Sequence, residues 1–205
     1  MDQMKIKRGR NLRGNYFVAF PAKVPESVQQ RVKRGAPEGL RWFHGDDLHV
    51  TLAFFGKEES ERIPAIRGVL QEIAFAGSEF TLGRIIALPH LRRFSALSFE
   101  IAEGREEIAH LMEMWRAPLA AAAGVPPENR RPLPHVTVAR PVRKDPRFRA
   151  KEVLAWANGF PPPEEKVELL RPMLFVWAAD RATRQFQILE GRGDAENSLS
   201  GEDHL

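Results

Sequence analysis

The chain contains no cysteine, which excludes disulfides, thiolate metal sites and a cysteine nucleophile, and is compatible with a reducing compartment. No apolar run reaches the length a membrane-spanning helix needs. The basic start, MDQMKIKRGRNLRG, lacks the apolar stretch of a secretory signal. The expected compartment is therefore the cytoplasm, with no membrane partner. There is no P-loop lysine motif to hold a nucleotide cofactor. There is also no H-E-x-x-H and no carboxylate cluster to hold a metal, so the sequence implies neither cofactor nor metal.

What remains is a chain of 205 residues, 43% hydrophobic and 28% charged, enough for one sizeable core arranged as one compact domain or as two lobes sharing a cleft. The net charge of +4 suits an anionic partner without specifying one. Its distribution says more. Residues 1–13 form a basic tail and residues 192–205 an acidic one, leaving residues 14–191 as the folded part. Within that part, arginines cluster at Arg92-Arg93, Arg130-Arg131 and Arg140–Arg143.

Hydrophobic patterning predicts strands over Asn15–Phe20, the short LRWF run, Asp47–Phe55, Phe80–Leu88, Phe94–Ile101, Leu133–Ala139, Val167–Trp177 and Gln185–Leu189. It predicts helices over Pro25–Arg34, Ser60–Ala76, Glu106–Ala123 and Ala150–Ala157, with Gly124 ending the longest. Strands and helices alternate irregularly, so the expected class is α+β with antiparallel sheet.

One internal repeat carries chemistry. Residues 49–53 read HVTLA and residues 135–139 read HVTVA. Each copy falls in a predicted strand preceded by a predicted helix, as in a duplicated half-fold. Side chains alternate along a strand, so His49 and Thr51 share one face, about 7 Å apart, while Val50 and Leu52 take the other. His135 and Thr137 repeat the arrangement. Two imidazoles and two hydroxyls lining one cleft suit phosphodiester hydrolysis, which needs a base to activate water and an acid to protonate the leaving oxygen. The hydroxyls donate to the non-bridging oxygens, and nearby arginines neutralise the phosphate. Phe17 on the opening strand is a candidate stacking face or a core residue. Arg41 is a candidate phosphate contact, Trp42 reads as core, and Arg130 is a candidate RNA contact. His44, His90, His110 and His204 have no matched partner.

These residues resemble the two-histidine (2H) phosphoesterase superfamily, defined by two H-x-[T/S]-x motifs, and within it the bacterial and archaeal RNA 2′,3′-cyclic phosphodiesterases, historically called 2′-5′ RNA ligases. NYFVAFP is similar to the family's opening strand, LRWFHGDDLHVTLAFFG to its first motif block and RRPLPHVTVAR to its second. Two positions depart from the pattern: Asn15-Tyr16 where an arginine is commoner, and Arg171-Pro172 where Glu-Ser is usual. The resemblance implies a bilobal α+β fold, two pseudo-symmetric lobes with antiparallel sheets around a central cleft; the expected oligomeric state is a monomer. It also implies metal-independent opening of a 2′,3′-cyclic phosphate on RNA to a 2′-phosphomonoester. His49 and His135 are then the acid/base pair, in either assignment, with Thr51, Thr137 and Arg140 on the phosphate. Joining of ends by a 2′-5′ bond, action on 2′-5′ oligonucleotides or on a small cyclic phosphate, and RNA binding without catalysis are the alternatives.

Overall fold

The computed structural model describes residues 14–58, 60–75, 77–179 and 184–189; both charged tails lie outside them. Among these described residues nine strands, β1 (Gly14–Lys23), β2 (Leu40–Trp42), β3 (His49–Glu58), β4 (Ser78–Leu88), β5 (Ala96–Ile101), β6 (His135–Pro141), β7 (Lys166–Leu169), β8 (Met173–Trp177) and β9 (Phe186–Ile188), combine with four helices. These are α1 (Glu26–Lys33), α2 (Ile63–Gln71), α3 (Arg105–Ala123) and α4 (Ala150–Gly159).

All pairings are antiparallel. β3, β1, β8 and β9 make one sheet, and β2, β6, β5 and β4 make the other. β7 joins them by pairing with the end of β1 on one edge and the start of β4 on the other. Sequence patterning runs Val167–Trp177 as a single strand. The structure divides it at Arg171-Pro172 into β7 and β8, because proline lacks the N–H a continuous ladder needs.

The duplication is visible as β1–α1–β3–α2, with β2 inserted before β3, and β5–α3–β6–α4. The first helix of each unit crosses to the other unit's sheet. α3 packs on β3 and α2. Val28 and Val32 of α1 line an apolar crevice with Phe99 and Val138 of the second sheet. That exchange interlocks the lobes and sets β3 against β6. Burial follows the patterning: Ile66, Ile108, Met112 and Leu119 lie under the first sheet's helices, while Trp42 meets Trp156 and Phe99 meets Phe160, each at 6.0 Å, under the second. α3 ends as expected at Gly124, whose φ of 75° is the left-handed conformation that caps a helix without a Cβ penalty. α2 is shorter than patterning predicts, its first turn being a 3-10 turn at Ser60–Arg62. Among the described residues no helix is long and apolar enough to cross a membrane.

Candidate active site

His49 and His135 open β3 and β6, and their rings are held in the same way. His49 Nδ1 donates to the carbonyl of Asp47 at 2.6 Å, and His135 Nδ1 to the carbonyl of Leu133 at 2.6 Å. A carbonyl only accepts, so the proton of each neutral ring sits on Nδ1 and the lone pair is left on Nε2. Two residues back in each copy, the backbone selects the same tautomer. Both Nε2 atoms are thereby available for proton transfer.

Burial pushes His49 down from the ordinary histidine value to about 4; the Asp47 carbonyl bond opposes it, the His135 charge adds to it, the Asp47 charge opposes it and the Arg140 charge adds to it. His135 is also lowered, by burial first, with the Leu133 bond opposing and the Arg116 charge adding. Each histidine thus responds to one arginine, and the pair is close enough for His135 to act on His49.

The His49 ring sits in an aromatic wall. Phe17, Phe175 and Phe186 lie 5.1, 5.6 and 5.0 Å from it between centroids. Phe17 is only 2% exposed, its faces taken by His49 and a stacked Phe175 at 5.1 Å. This packing confers the desolvation that depresses His49. The threonines differ between copies. Thr137 Oγ1 is hydrogen-bonded to Ser98 Oγ at 2.9 Å, whereas Thr51 lies across from Ala19 in the β1 ladder. Strict alternation would place Arg140, an odd number of residues after His135, on the opposite face, but the β5–β6 register slips at Val138, with Leu97 opposite Ala139 and Ser98 opposite Thr137, and returns it to the His135 side. Its guanidinium lies 5.8 Å over the Phe43 ring and its charge reaches His49. Arg41 is exposed directly across the ladder from Arg140, while Arg130 is exposed and paired with Glu128 at 2.5 Å. Among the described residues no three His, Asp or Glu side chains gather in a group that could hold a metal ion.

Residues 21–171 match the family model described as the 2′-5′ RNA ligase superfamily. The chain belongs to that superfamily. It is 28% identical over 137 residues to the RNA 2′,3′-cyclic phosphodiesterase of Bacillus subtilis (strain 168), covering 63% of this chain and 73% of that one. It is 28% identical over 127 residues to the protein of the same name from Aquifex aeolicus (strain VF5), covering 59% of this chain and 66%, just under two thirds, of the other. The fold is that of E. coli LigT, solved with 3′-AMP, at a TM-score of 0.64 and 22% identity over 87% of this chain and 97% of that one. TT0787 of Thermus thermophilus superposes with a TM-score of 0.62 at 20% identity, over 86% and 95% of the two chains.

In this 2H phosphoesterase fold, three residues that patterning misses stand at the motifs. The β1–β3 register slips so that Val18 faces Ala53 and Ala19 faces Thr51, leaving Leu52 as a bulge. A bulge inserts one residue and reverses the alternation beyond it. Phe54 therefore comes opposite Phe17, on the His49 side, and is 53% exposed. Arg116 of α3 donates from Nε to the Leu52 carbonyl at 3.2 Å and from Nη1 to the Arg130 carbonyl at 3.0 Å. It thus ties the first motif's bulge to the segment leading into the second motif. Asp47 is 1% exposed, and its carboxylate accepts from the backbone N–H groups of Gln185 at 2.9 Å and Phe186 at 3.2 Å. The Arg184 Nε approaches the same carboxylate at 3.3 Å. A run of Gly-Asp-Asp immediately before a strand is the local signal for such a bonding turn; nothing local marks Arg116 or the bulge.

Proposed function

We propose that this protein is an RNA 2′,3′-cyclic phosphodiesterase, opening the cyclic phosphate at an RNA end to a 2′-phosphomonoester. The observation that carries this reading is the pair of imidazoles on β3 and β6, each fixed through Nδ1 to the carbonyl two residues back. The names of the Bacillus and Aquifex relatives supply the substrate class.

In the proposed reaction His135 Nε2 takes a proton from water as the water oxygen attacks phosphorus. The bond from phosphorus to the 3′ oxygen breaks, and His49 Nε2 delivers a proton to that oxygen. Thr51, Thr137 and Arg140 hold the non-bridging oxygens, where charge accumulates. Phe54 offers its exposed ring to the base. One imidazole must enter the reaction protonated, and burial and the arginines oppose this in the free protein. The negative charge of the substrate acts in the opposite direction, so the acid forms when substrate is bound. Ligation through a 2′-5′ bond is the microscopic reverse of diester cleavage and requires the same groups.

The test is turnover of an oligoribonucleotide ending in a 2′,3′-cyclic phosphate, in EDTA, by wild type, His49→Ala and His135→Ala. Each substitution is expected to cost about 10²–10⁴-fold in kcat. A phosphodiester with a nitrophenolate leaving group needs no acid, so it should restore His49→Ala far more than His135→Ala. The reverse pattern exchanges the two roles. Folded wild type that opens no cyclic phosphate on RNA, yet cleaves 2′-5′ diesters or small cyclic phosphates, moves the activity to those substrates.

A further inference from the structure

The three arginine clusters of the sequence meet different fates in the fold. Arg130 is neutralised by Glu128. The other two clusters, far apart in the chain, come together at one end of the second sheet. There β4 finishes at Leu88 opposite Ala96, β5 begins, and Leu97 lies opposite Ala139 in β6. β6 then leaves the sheet through Arg140 and Pro141, which face Arg41 and Leu40 of β2. The loop after β4, holding Arg92 and Arg93 in a 3-10 turn, is thereby brought beside the Val142–Lys144 segment. The Arg143 guanidinium joins the two by donating to the Phe94 carbonyl at 2.5 Å.

Arg41, Arg92, Arg93, Arg143 and Lys144 are all exposed. The local acids are taken elsewhere: Asp145 bonds Arg147 at 2.8 Å, and Glu38 pairs with the same Arg147 at 3.4 Å. Among the described residues no carboxylate pairs with Arg41, Arg92, Arg93 or Lys144. Exposed apolar side chains, Leu91 at 63% and Val142 at 39%, stand within this basic surface.

The surface is continuous with the candidate site. Arg140 faces Arg41 across the ladder, lies over Phe43, and acts electrostatically on His49. Four adjacent strands spaced about 4.8 Å apart make a sheet end roughly 14 Å across. That width takes several phosphates of a single strand, whose backbone needs positive charge and whose bases accept apolar contact.

We propose that this end of the second lobe carries the ribose–phosphate chain lying 5′ of the reacting end, so that the protein acts on the terminus of an RNA strand in preference to a free cyclic nucleotide. The inference rests on the phosphodiesterase reading above, and its test separates the two. A fluorescein-labelled oligoribonucleotide ending in a 2′,3′-cyclic phosphate is titrated by anisotropy at several salt concentrations into His135→Ala protein, which leaves the ligand intact. The same His135→Ala protein carrying Arg92→Gln, Arg93→Gln and Lys144→Gln is measured beside it. None of these three side chains touches the candidate site.

Neutralising about three phosphates gives a log–log salt slope of about −2, a weakening of roughly 20-fold between 50 and 200 mM salt. The triple substitution should abolish most of that slope and weaken binding at low salt by a similar factor. In otherwise wild-type protein, the triple substitution should leave turnover of a 2′,3′-cyclic mononucleotide unchanged. Salt-independent binding, or binding unaltered by the triple substitution, overturns the surface proposal while mononucleotide turnover keeps the chemistry. Absence of turnover on every cyclic phosphate, with salt-dependent RNA binding lost in the triple variant, retains the surface and removes the chemistry.

Discussion

Asp47→Asn changes a buried acceptor-only group into one with a single acceptor. The carboxylate now takes the Gln185 and Phe186 N–H groups with one oxygen each, and the Arg184 guanidinium approaches from outside. Asparagine keeps one oxygen but turns an NH₂ toward the second N–H, leaving donor against donor. Loss of one charge-assisted bond in a buried setting costs about 2–3 kcal/mol. For a folded part of this size that is a fall in Tm of about 5–10 °C. Phe186 also walls His49 at 5.0 Å, and the Asp47 carbonyl fixes the His49 tautomer, so the substitution loosens the ring from two sides. The Asp47 charge raises the His49 pKa, so removing it lowers that pKa further. The limb of the pH–rate profile that belongs to His49 should therefore move to lower pH, with kcat reduced and KM little changed. The assay is turnover of a cyclic mononucleotide from pH 4 to 9 beside a thermal melt. An unchanged melting point refutes the bonding argument. A uniform loss of activity with the limb in place shows that Asp47 supports only the fold.

Two further outcomes follow from the same site. His49, with a folded pKa of about 4 against about 6.5 when unfolded, binds its proton later in the fold, so stability falls as pH drops through that window. The full loss is about 3 kcal/mol and should disappear in His49→Asn, as measured by denaturant midpoints at pH 7.5 and pH 4. Arg116→Gln removes a positive charge that lowers His135 and releases the Leu52 and Arg130 carbonyls. The His135 limb of the pH–rate profile should move upward, opposite to the shift in Asp47→Asn, with kcat/KM down by about 10- to 100-fold from misplacement of the motifs; an unmoved limb would show that the charge does not reach His135.

The parts of this molecule legible in its sequence are those written in local periodicity. The period of two in HVTLA and HVTVA gives the strands and the shared face of each His and Thr, and the four helices follow from their apolar spacing. Contacts between distant segments are not written that way. The carboxylate of Asp47 closes on residues 138 and 139 positions away, and Arg116 reaches Leu52 across 64. The exchange of α1 and α3 between sheets depends on how the whole chain closes. The Leu52 bulge is a register event between two strands, invisible in either one alone, yet it decides that Phe54 faces the cleft instead of the core.

The repeat is nearly identical in sequence, but its two copies are braced by different means. The carbonyl that orients His49 belongs to Asp47, whose own side chain is anchored by the segment entering β9. The carbonyl that orients His135 belongs to Leu133, held between Pro132 and Pro134, whose rings restrict the backbone, with Arg116 holding the Arg130 carbonyl just upstream. Thr137 is restrained by Ser98, while the matching position opposite Thr51 is Ala19. One imidazole is enclosed by three phenylalanines, and the other stands beside Arg116 and Glu128. A duplicated motif with equivalent surroundings would give two histidines that answer alike to any change in their neighbours. Unequal surroundings let each imidazole be perturbed on its own, Asp47→Asn acting on His49 and Arg116→Gln on His135, so the two limbs of the pH–rate profile can be assigned one residue at a time.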